Sequence, residues 1–468
     1  MSPPPPPSPK RARVASPPCG GGVGGGELHR PDPPGSGASA PWASLPEDLV
    51  QLIGWRVLAG DLLDYVRFRA VCAHWGRGAA RPGGRGLLDP RFHPRRWTLL
   101  PEGHGLYPGH PALGGRARFL NLSTGALAGL HLPLFRDHVL LGRADGLLLL
   151  LRHTAPGDTA VRLLHPFTGD VAELPPLASL LPQMAHSPED RRLGMLRGFL
   201  SGVSAAVTVA PAGAITVVLA LEIKLLVAHA TTGDRRWTLA AGRLPCLLAP
   251  AVAFHGSLFL VTPRCSQRKS VYIWRIDPPQ PDAAEGESLL PPKIIAHCPL
   301  AATRGAVNLV QCGSDLMLVG FNEAKRTDLV VFRVADLVKG SAIPVTNIGE
   351  HALFLGQRPL YASQSKGLPS VVGNSITCRY RVTKHKALQG GRGFRITEQY
   401  HIGTGTWSPA IDGDISSWDR PPASPYMLIH HIFTCCHHSH WSKGLIFHNK
   451  IKPDWSVKPN LCMSGLMD

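Results

Sequence analysis

The stretch Ala144-Asp-Gly-Leu-Leu-Leu-Leu150 places a turn-forming pair directly before a run of apolar residues. The same form returns as His255-Gly-Ser-Leu-Phe-Leu-Val261 and as Gly313-Ser-Asp-Leu-Met-Leu-Val319. A tight turn before a short apolar run is typical of a β-hairpin. After similar intervals, each stretch is followed by a second apolar segment: Val161–His165, Val271–Ile276 and Leu329–Val334. The sequence therefore predicts one hairpin design that is used repeatedly.

A Thr-Gly pair is a second recurring element, and it suits a tight reversal between strands. It occurs in Asn121–Gly125, Pro166–Gly169 and Ala230–Gly233. Radially repeated antiparallel blades would use such units, because closing the ring leaves only short, protected strand edges. We therefore expect an all-β, propeller-like domain over residues 90–450, whose blade count is not readable from the degenerate repeats.

One stretch resembles a membrane span, because no charged residue occurs between Arg197 and Glu222. However, Pro211-Ala-Gly213 interrupts it, and apolar residues alternate afterwards from Ile215 to Ile223. Alternation is typical of strands. We expect two strands around a turn and no contact with a membrane.

The chain has 468 residues, which suggests two or three domains. Lys and Arg number 49 and Asp and Glu 32, a net charge of +17. A basic nucleic-acid or chromatin-associated binding protein is therefore one alternative function. Because the arginines are scattered and aromatic residues make up only 7%, we interpret the excess as solvated surface and do not expect nucleic acid as a partner.

The cysteine pattern bears on the compartment of the protein. Ten cysteines occur without a C-x-x-C pair, which favours a reduced protein. The N-terminal Met1-Ser-Pro-Pro lacks the basic-then-apolar plan of a secretory signal. We expect an intracellular protein, in the cytoplasm, the nucleus or both.

Residues 1–41 are rich in Pro, Gly, Ser and Ala, so they cannot bury enough apolar surface to offset the entropy of ordering. We expect a disordered arm. Within it, Gly20–Gly25 matches G-x-G-x-x-G without the strand that a dinucleotide site requires. Lys10-Arg11-Ala12-Arg13 is either a solubilising charge cluster or a nuclear-import signal. Residues 451–468 are assigned to a C-terminal tail.

Helical periodicity begins at Trp42 and defines a unit over residues 42–82. Ser44-Leu-Pro-Glu47 has the form of a capping box. A second helix is expected after Gly60, with Asp61 as its N-cap, running through Phe68 and Trp75. The first helix carries one apolar stripe, formed by Leu45, Leu49, Leu52, Ile53 and Val57.

A unit of about 35 residues is too short to hide all of its apolar side chains by itself. A partner surface is therefore implied. Trp55 and Trp75 are candidate anchors for that partner, with ordinary core packing as the alternative.

The search for catalytic chemistry is mostly negative, since the sequence has no phosphate loop, nucleophile elbow or H-E-x-x-H motif. The segment His430–Trp441 contains five His and two Cys, but its adjacent pairs would point to opposite sides of a strand. We expect a packed strand end there and no metal site. Cys72 and His74 stand two apart on a helix and do not face each other. We expect no catalytic residue, metal or cofactor.

Leu45-Pro-Glu-Asp-Leu-Val-Gln-Leu-Ile53 and Asp64-Tyr-Val-Arg-Phe-Arg-Ala-Val-Cys-Ala-His-Trp75 resemble an F-box. The whole chain resembles a plant F-box protein with a kelch-like or unknown-function C-terminal domain. Three segments carry this second resemblance: Gly146–Leu150, His165–Gly169 and Leu368–Ile376.

The resemblance implies a substrate-recognition subunit of an SCF-type (cullin-RING) ubiquitin ligase without catalytic side chains of its own. Its F-box would bind a Skp-type adaptor, and through it a cullin, while the β domain would hold an unknown target protein. A propeller-type small-molecule enzyme remains a further alternative. The adaptor-binding residues that the resemblance implies are Leu45, Pro46, Leu49, Leu52, Ile53, Val66, Phe68, Val71, Cys72 and Trp75.

Overall fold

The structure is a computed structural model of the chain. It describes residues 41–100, 108–152, 158–184, 200, 202–263, 270–279, 289–298, 307–322, 328–356, 358–362, 368, 371–382, 394–410 and 428–436. The predicted arm over residues 1–41 and the tail over residues 451–468 lie outside the described residues, apart from position 41.

Three helices form a small module at the start of the described chain: α1 (Glu47–Gly60), α2 (Leu62–Arg69) and α3 (Ala73–Gly78). Asp61 separates the first two, and its carboxylate accepts a hydrogen bond from the backbone N–H of Leu63. The predicted N-cap of the second helix is therefore confirmed. A 3-10 turn, Pro41–Ser44, precedes α1.

Six sheets follow the module and form a β-propeller over about residues 97–409, which confirms the expected fold class. Blade 1 consists of β1 (Trp97–Leu99), β2 (Arg116–Asn121) and β3 (Leu127–His131). Blade 2 consists of β4 (His138–Ala144), β5 (Leu147–Arg152), β6 (Val161–Leu164) and β7 (Val171–Leu174). Blade 3 consists of β8 (Val203–Val209), β9 (Ile215–Leu221), β10 (Leu226–Thr231) and β11 (Thr238–Leu239).

The remaining blades complete the ring. Blade 4 consists of β12 (Val252–Phe254), β13 (Ser257–Pro263), β14 (Val271–Ile276) and β15 (Lys293–Cys298). Blade 5 consists of β16 (Val307–Cys312), β17 (Asp315–Phe321) and β18 (Leu329–Arg333). Blade 6 consists of β19 (Ala352–Leu355), β20 (Leu360–Ala362), β21 (Ser375–Val382), β22 (Phe394–His401) and β23 (Thr406–Pro409). Neighbouring strands pair antiparallel except β19 and β21, which pair parallel.

In the part of the chain that the structure describes, three short helices accompany the blades. They are α4 (Leu181–Met184), α5 (Val334–Val338) and α6 (Leu428–Cys435). The last of them packs where blade 6 meets blade 1, with Ile429 and Ile432 buried beside Leu100 and Phe354.

Strand β5 shows why the propeller strands are apolar on both faces. Leu147, Leu149 and Leu151 pack with blade 3, whereas Leu148 and Leu150 pack with blade 1. Successive side chains of a strand point to opposite faces, so a blade between two others buries all of them. A hydrophobic core lies at each of the six junctions between neighbouring blades.

The repeated hairpin is confirmed in blades 2, 4 and 5, where β5 pairs with β6, β13 with β14, and β17 with β18. Two-residue turns lead into β5 and β13. In these turns Asp145-Gly146 and His255-Gly256 all have positive φ. Two successive positive φ values match the right-handed twist of the flanking strands. These turns join β4 to β5 and β12 to β13, so they mark the start of the first strand of each predicted pair.

The Thr-Gly reversals are also confirmed. Gly125, Gly169 and Gly233 have positive φ and lie in the turns β2–β3, β6–β7 and β10–β11. A fourth reversal of this kind, at Gly405 between β22 and β23, was not noticed in the sequence.

The charge-free stretch forms the two predicted strands, β8 and β9, which pair antiparallel from Val203↔Leu221 to Val209↔Ile215. Ile223 lies beyond β9 in a turn and is exposed. Within the described part of the chain, no helix has the length and apolar character that a membrane crossing needs.

The prediction of a strand end at His430–Trp441 was wrong over residues 430–435, which belong to helix α6. Ile429, Ile432 and Cys436 are buried, and their spacing of three and four residues places them on one helical face. The adjacent pairs His430-His431 and Cys435-Cys436 made this helical spacing of apolar residues hard to recognise in the sequence. Residues 437–441 lie outside the described residues.

Candidate docking surface of the helical module

Helix α1 begins later than the capping box predicts. Its N-cap is Pro46, which makes no side-chain hydrogen bond, and Glu47 is the first helical residue. A helix capped by Ser44 would require helical backbone at Leu45, and the residue before a proline disfavours that conformation. The predicted capping box was therefore wrong, because Pro46 sets the start of the helix.

The two sides of α1 have different surroundings. Val50, Gly54 and Leu58 follow one another at intervals of four residues and are buried. A Cβ atom at Gly54 would lie 3.2 Å from the Phe68 ring and 3.3 Å from the Tyr65 ring. Glycine therefore lets α2 approach α1 closely, and the side of α1 that carries Leu49 and Leu52 is left outside this contact.

The expected second helix is in fact two helices. The helix α2 ends at Arg69, and α3 begins at Ala73 with Cys72 as its N-cap. The Cys72 Sγ accepts a hydrogen bond from the backbone N–H of Trp75 at 3.4 Å. The apolar spacing from Phe68 to Trp75 is compatible with one continuous helix. However, an N-cap residue has non-helical backbone, and Cys72 is extended, so the helix is interrupted there.

Helix α3 is tied to the segment before α1. The Trp75 indole N–H donates to the Trp42 carbonyl at 2.9 Å, and His74 Nε2 bonds to the Leu45 carbonyl at 2.6 Å. His74 therefore links α3 to the segment before α1 and is not paired with Cys72. The Trp75 ring also stacks on Phe68 with 4.6 Å between centroids, so the two ends of the module are held together.

Of the ten predicted adaptor-binding residues, the exposed apolar ones are Leu49 (41%), Leu52 (50%), Val66 (47%) and Val71 (62%). Pro46 is exposed as well. Leu45, Ile53, Cys72 and Trp75 are half-buried. Phe68 is only 8% exposed and packs in the core of the module. It therefore supports the surface from beneath and is not itself available to a partner. We name Leu49, Leu52, Val66 and Val71 the apolar surface of the module.

The core beneath this surface is completed by residues from outside the three helices. Phe92 is fully buried against the module, and Phe167 of blade 2 packs against it. Trp55 stacks with Tyr65 at a centroid distance of 6.3 Å, and the Arg91 guanidinium lies 3.9 Å above its ring. Trp55 thus packs toward the propeller, not toward the apolar surface.

The β6–β7 reversal of blade 2 fixes the segment that leaves the module. His165 Nε2 bonds to the Phe92 carbonyl at 3.0 Å, while its Nδ1 accepts from the Thr168 N–H at 3.0 Å. Since the carbonyl only accepts, Nε2 carries the proton and Nδ1 is unprotonated. Burial lowers the pKa of His165, and the nearby His93 lowers it further.

Asp170 of the same reversal holds the linker that follows the module. Its two carboxylate oxygens accept from the backbone N–H groups of Gly84 and Gly86 at 3.0 and 2.7 Å. A Cβ atom at Gly86 would lie 2.4 Å from Thr168 Oγ1 and 2.8 Å from Asp170 Oδ2. Only glycine allows so close an approach at this position.

A further polar contact joins α2 to blade 1. The Asn121 side-chain amide donates to the buried Asp61 carboxylate, which also caps α2. Burial raises the pKa of Asp61, and the hydrogen bond from Leu63 opposes this effect. The module is therefore attached to the propeller at two separate blades, through Asn121 and through the reversal at His165–Asp170.

Acidification should weaken this attachment. The imidazole of His165 has a lowered pKa in the folded protein, so the unfolded chain binds the proton first and stability is lost as pH falls below about 6.5. For His165→Asn we expect a cost of about 1 kcal/mol at pH 7.5. When the pH is lowered from 7.5 to 5.5, the free energy of unfolding should decrease less in His165→Asn than in the wild type. The expected difference between the two decreases is up to about 1.4 kcal/mol. Urea unfolding at both pH values measures this.

Asparagine is the suitable replacement because Asn121 occupies the matching place in blade 1, four residues before Gly125. There its Oδ1 accepts from the N–H groups of Ser123 and Thr124. The exposed His131→Asn serves as the control, with unchanged pH dependence expected. An equal pH dependence in His165→Asn and the wild type would contradict the assignment.

Among the described residues, no group of three or more His, Cys, Asp or Glu is placed to hold a metal ion. Cys435 and Cys436 of the segment His430–Trp441 are buried at the contact of blades 6 and 1. Burial raises the pKa of Cys435 to about 12, so this thiol is protonated at neutral pH and is a poor metal ligand.

Comparison with protein families supports the fold with a sequence relationship. The model of the KIB1-4 β-propeller matches residues 119–380, which begin in blade 1 and end in blade 6. A comparison with curated proteins gives no match. Because the matched segment covers more than half of the chain, the protein belongs to the KIB1-4 β-propeller family.

Proposed function

We propose that the protein is the substrate-recognition subunit of an SCF-type ubiquitin ligase. In this proposal the helical module is an F-box that binds a Skp-type adaptor and, through it, a cullin. The propeller holds the target protein. The KIB1-4 propellers are an F-box-associated family of plants, which is consistent with this division of roles.

The observation that carries the proposal is the apolar surface of the module. Its core is already filled by residues such as Val50, Tyr65 and Phe92, all at most 1% exposed. The exposed apolar residues Leu49 and Leu52 are therefore not needed for that core. Leu49 and Leu52 lie three residues apart on α1 and so share one face of that helix, while Val66 lies on α2 and Val71 follows it. Exposed apolar residues on one small module favour a partner-binding role.

The attachment of the module to the propeller supports the same function. A receptor subunit works by holding its target near a charged conjugating enzyme, which raises the effective concentration of the reacting groups. Such an effect requires a connection that keeps the two binding surfaces at a defined separation. The contacts of Asp61 with Asn121 and of Gly86 with Asp170 supply that connection. We propose accordingly that the protein has no catalytic side chain of its own.

Formation of the adaptor complex tests the proposal. The full chain, co-expressed with a Skp-type adaptor, is expected to elute as a 1:1 complex in gel filtration with light scattering. Protein interfaces of standard size have dissociation constants from about 1 μM downward. Separate elution of the two proteins at about 10 μM each would contradict the proposal.

A further inference from the structure

The propeller encloses a central channel that continues up to the helical module. An inner cavity of about 170 Å³ is lined by residues from all six blades, including Thr98, Arg143, Ser204, Ala253, Gln311 and Arg358. An outer cavity of about 640 Å³ lies between the module and the propeller. The two share wall residues, among them Arg95, Trp97 and Tyr361, and together they have the size of a small-molecule pocket.

Guanidinium groups dominate the charge of the inner cavity. Arg95, Arg143 and Arg358 line it, with Asp145 as the acidic residue of the wall. Arg95 lies 3.3 Å from Asp145, and the Arg358 guanidinium donates to the Val203 carbonyl. Arg143 donates to Thr98 Oγ1. Guanidinium groups held in fixed positions present paired N–H donors to an anion.

The charge on Arg358 is costly in this place. Burial lowers its pKa to about 10; Glu222 opposes this shift, and the like charge of Arg143 adds to it. The Glu222 carboxylate is itself engaged by the Ser204 hydroxyl at 2.6 Å and by the Ala251 N–H at 3.1 Å. An anion between the two arginines would relieve their repulsion.

The outer cavity adds further positive and hydrogen-bonding groups. Arg91 and Arg96 line it together with His255 and His351, while Asp61 is engaged by Asn121. Arg91 is paired with Asp89 at 2.7 Å.

We propose that the channel binds a small, multiply charged phosphate-bearing anion. One phosphate group would lie between Arg143 and Arg358, and the rest of the ligand would occupy the outer cavity beside Arg96 and Trp97. Guanidinium groups recognise phosphate through paired N–H···O bonds. Because Trp55 and Leu62 of the module also line the outer cavity, the ligand would contact both the module and the propeller. This site does not depend on adaptor binding.

Thermal unfolding and calorimetry of the full chain in about 150 mM salt test the proposal, since salt at this level screens weak surface binding. The probes are pyrophosphate, adenosine triphosphate and inositol hexakisphosphate, which distinguish a bare phosphate chain, a nucleotide and a phosphorylated polyol. At least one of them is expected to raise Tm by several degrees, because a ligand that binds only the folded state stabilises it. The affinity of that probe is expected to fall at least tenfold in Arg358→Gln.

Arg358→Gln also removes the hydrogen bond to the Val203 carbonyl, so it tests binding only when the variant folds. Arg96→Gln, at the half-buried edge of the outer cavity, is therefore the second variant. It is expected to weaken binding by about five- to tenfold. The control is Arg235→Gln, an exposed arginine between β10 and β11, which should bind like the wild type. Equal weakening in the control, or no response to any of the three probes, would overturn the proposal.

Discussion

The double variant Leu49→Asp with Leu52→Asp is expected to lose at least about 100-fold in affinity for a Skp-type adaptor, because each carboxylate would enter an apolar contact without a partner. Both residues belong to the apolar surface and contribute little to the core of the module. An aspartate in a helix costs only a few tenths of a kcal/mol relative to leucine, and Leu49 lies in the first turn, where a negative charge is favourable. The module should therefore stay folded.

Isothermal titration with purified adaptor measures this loss, and circular dichroism with thermal unfolding checks that the variant is folded. The matched control is Leu127→Asp with Val171→Asp, which places the same charges at two exposed apolar positions of the propeller strands β3 and β7. The control should bind the adaptor as the wild type does. Wild-type affinity in the Leu49/Leu52 variant, with its fold intact, would exclude the apolar surface as the docking site.

The hairpins of the propeller could be predicted because their information is local. Asp145-Gly146 and His255-Gly256 are turn residues by their own conformational preferences, and the apolar strands follow them directly. The number of blades could not be predicted from such local patterns. In the described residues, blades 1 and 5 have three strands each, whereas blade 6 has five with one parallel pair, so the blades do not share one repeat pattern.

The helical module shows the limit of periodicity. The spacing from Phe68 to Trp75 fitted one helix, yet the chain breaks at Cys72, where a side chain caps a new one. The sequence also did not identify the buried face of α1, which consists of Val50, Gly54 and Leu58. Gly54 has no side chain that marks it as a core residue, and its importance follows only from the close packing of α2 against it.

The reversals share a sequence feature that bears on the attachment of the module to the propeller. The residue four positions before the glycine of each reversal is Asn121, His165, His229 or His401. In blades 1 and 2 this side chain accepts hydrogen bonds from the reversal itself, and it also contacts the module or the segment that follows it. The partners of these contacts, Asp61 and Phe92, lie 60 and 73 residues away in sequence, so no local pattern could identify them.

The linker between module and propeller provides the second large expected effect. In Gly86→Val, the added side chain would overlap Thr168 and Asp170 and displace the Asp170 carboxylate from the N–H groups of Gly84 and Gly86. Arg85 of this linker is exposed and becomes a substrate for trypsin once the backbone can leave the propeller surface. We expect cleavage there to be at least about tenfold faster than in the wild type, since such cleavage follows the population of the open state.

The neighbouring Gly83→Ala is the control for this experiment. A Cβ atom at Gly83 meets nothing within 4 Å, and its φ is not in the left-handed region. Its cleavage rate should equal that of the wild type. Fragment masses identify cleavage after Arg85, and an adaptor titration shows whether the module remains folded, because detachment leaves the apolar surface intact. Unchanged proteolysis in Gly86→Val would mean that Asp170 does not hold the linker. Adaptor binding with faster cleavage would show that docking and attachment are separate properties of the chain.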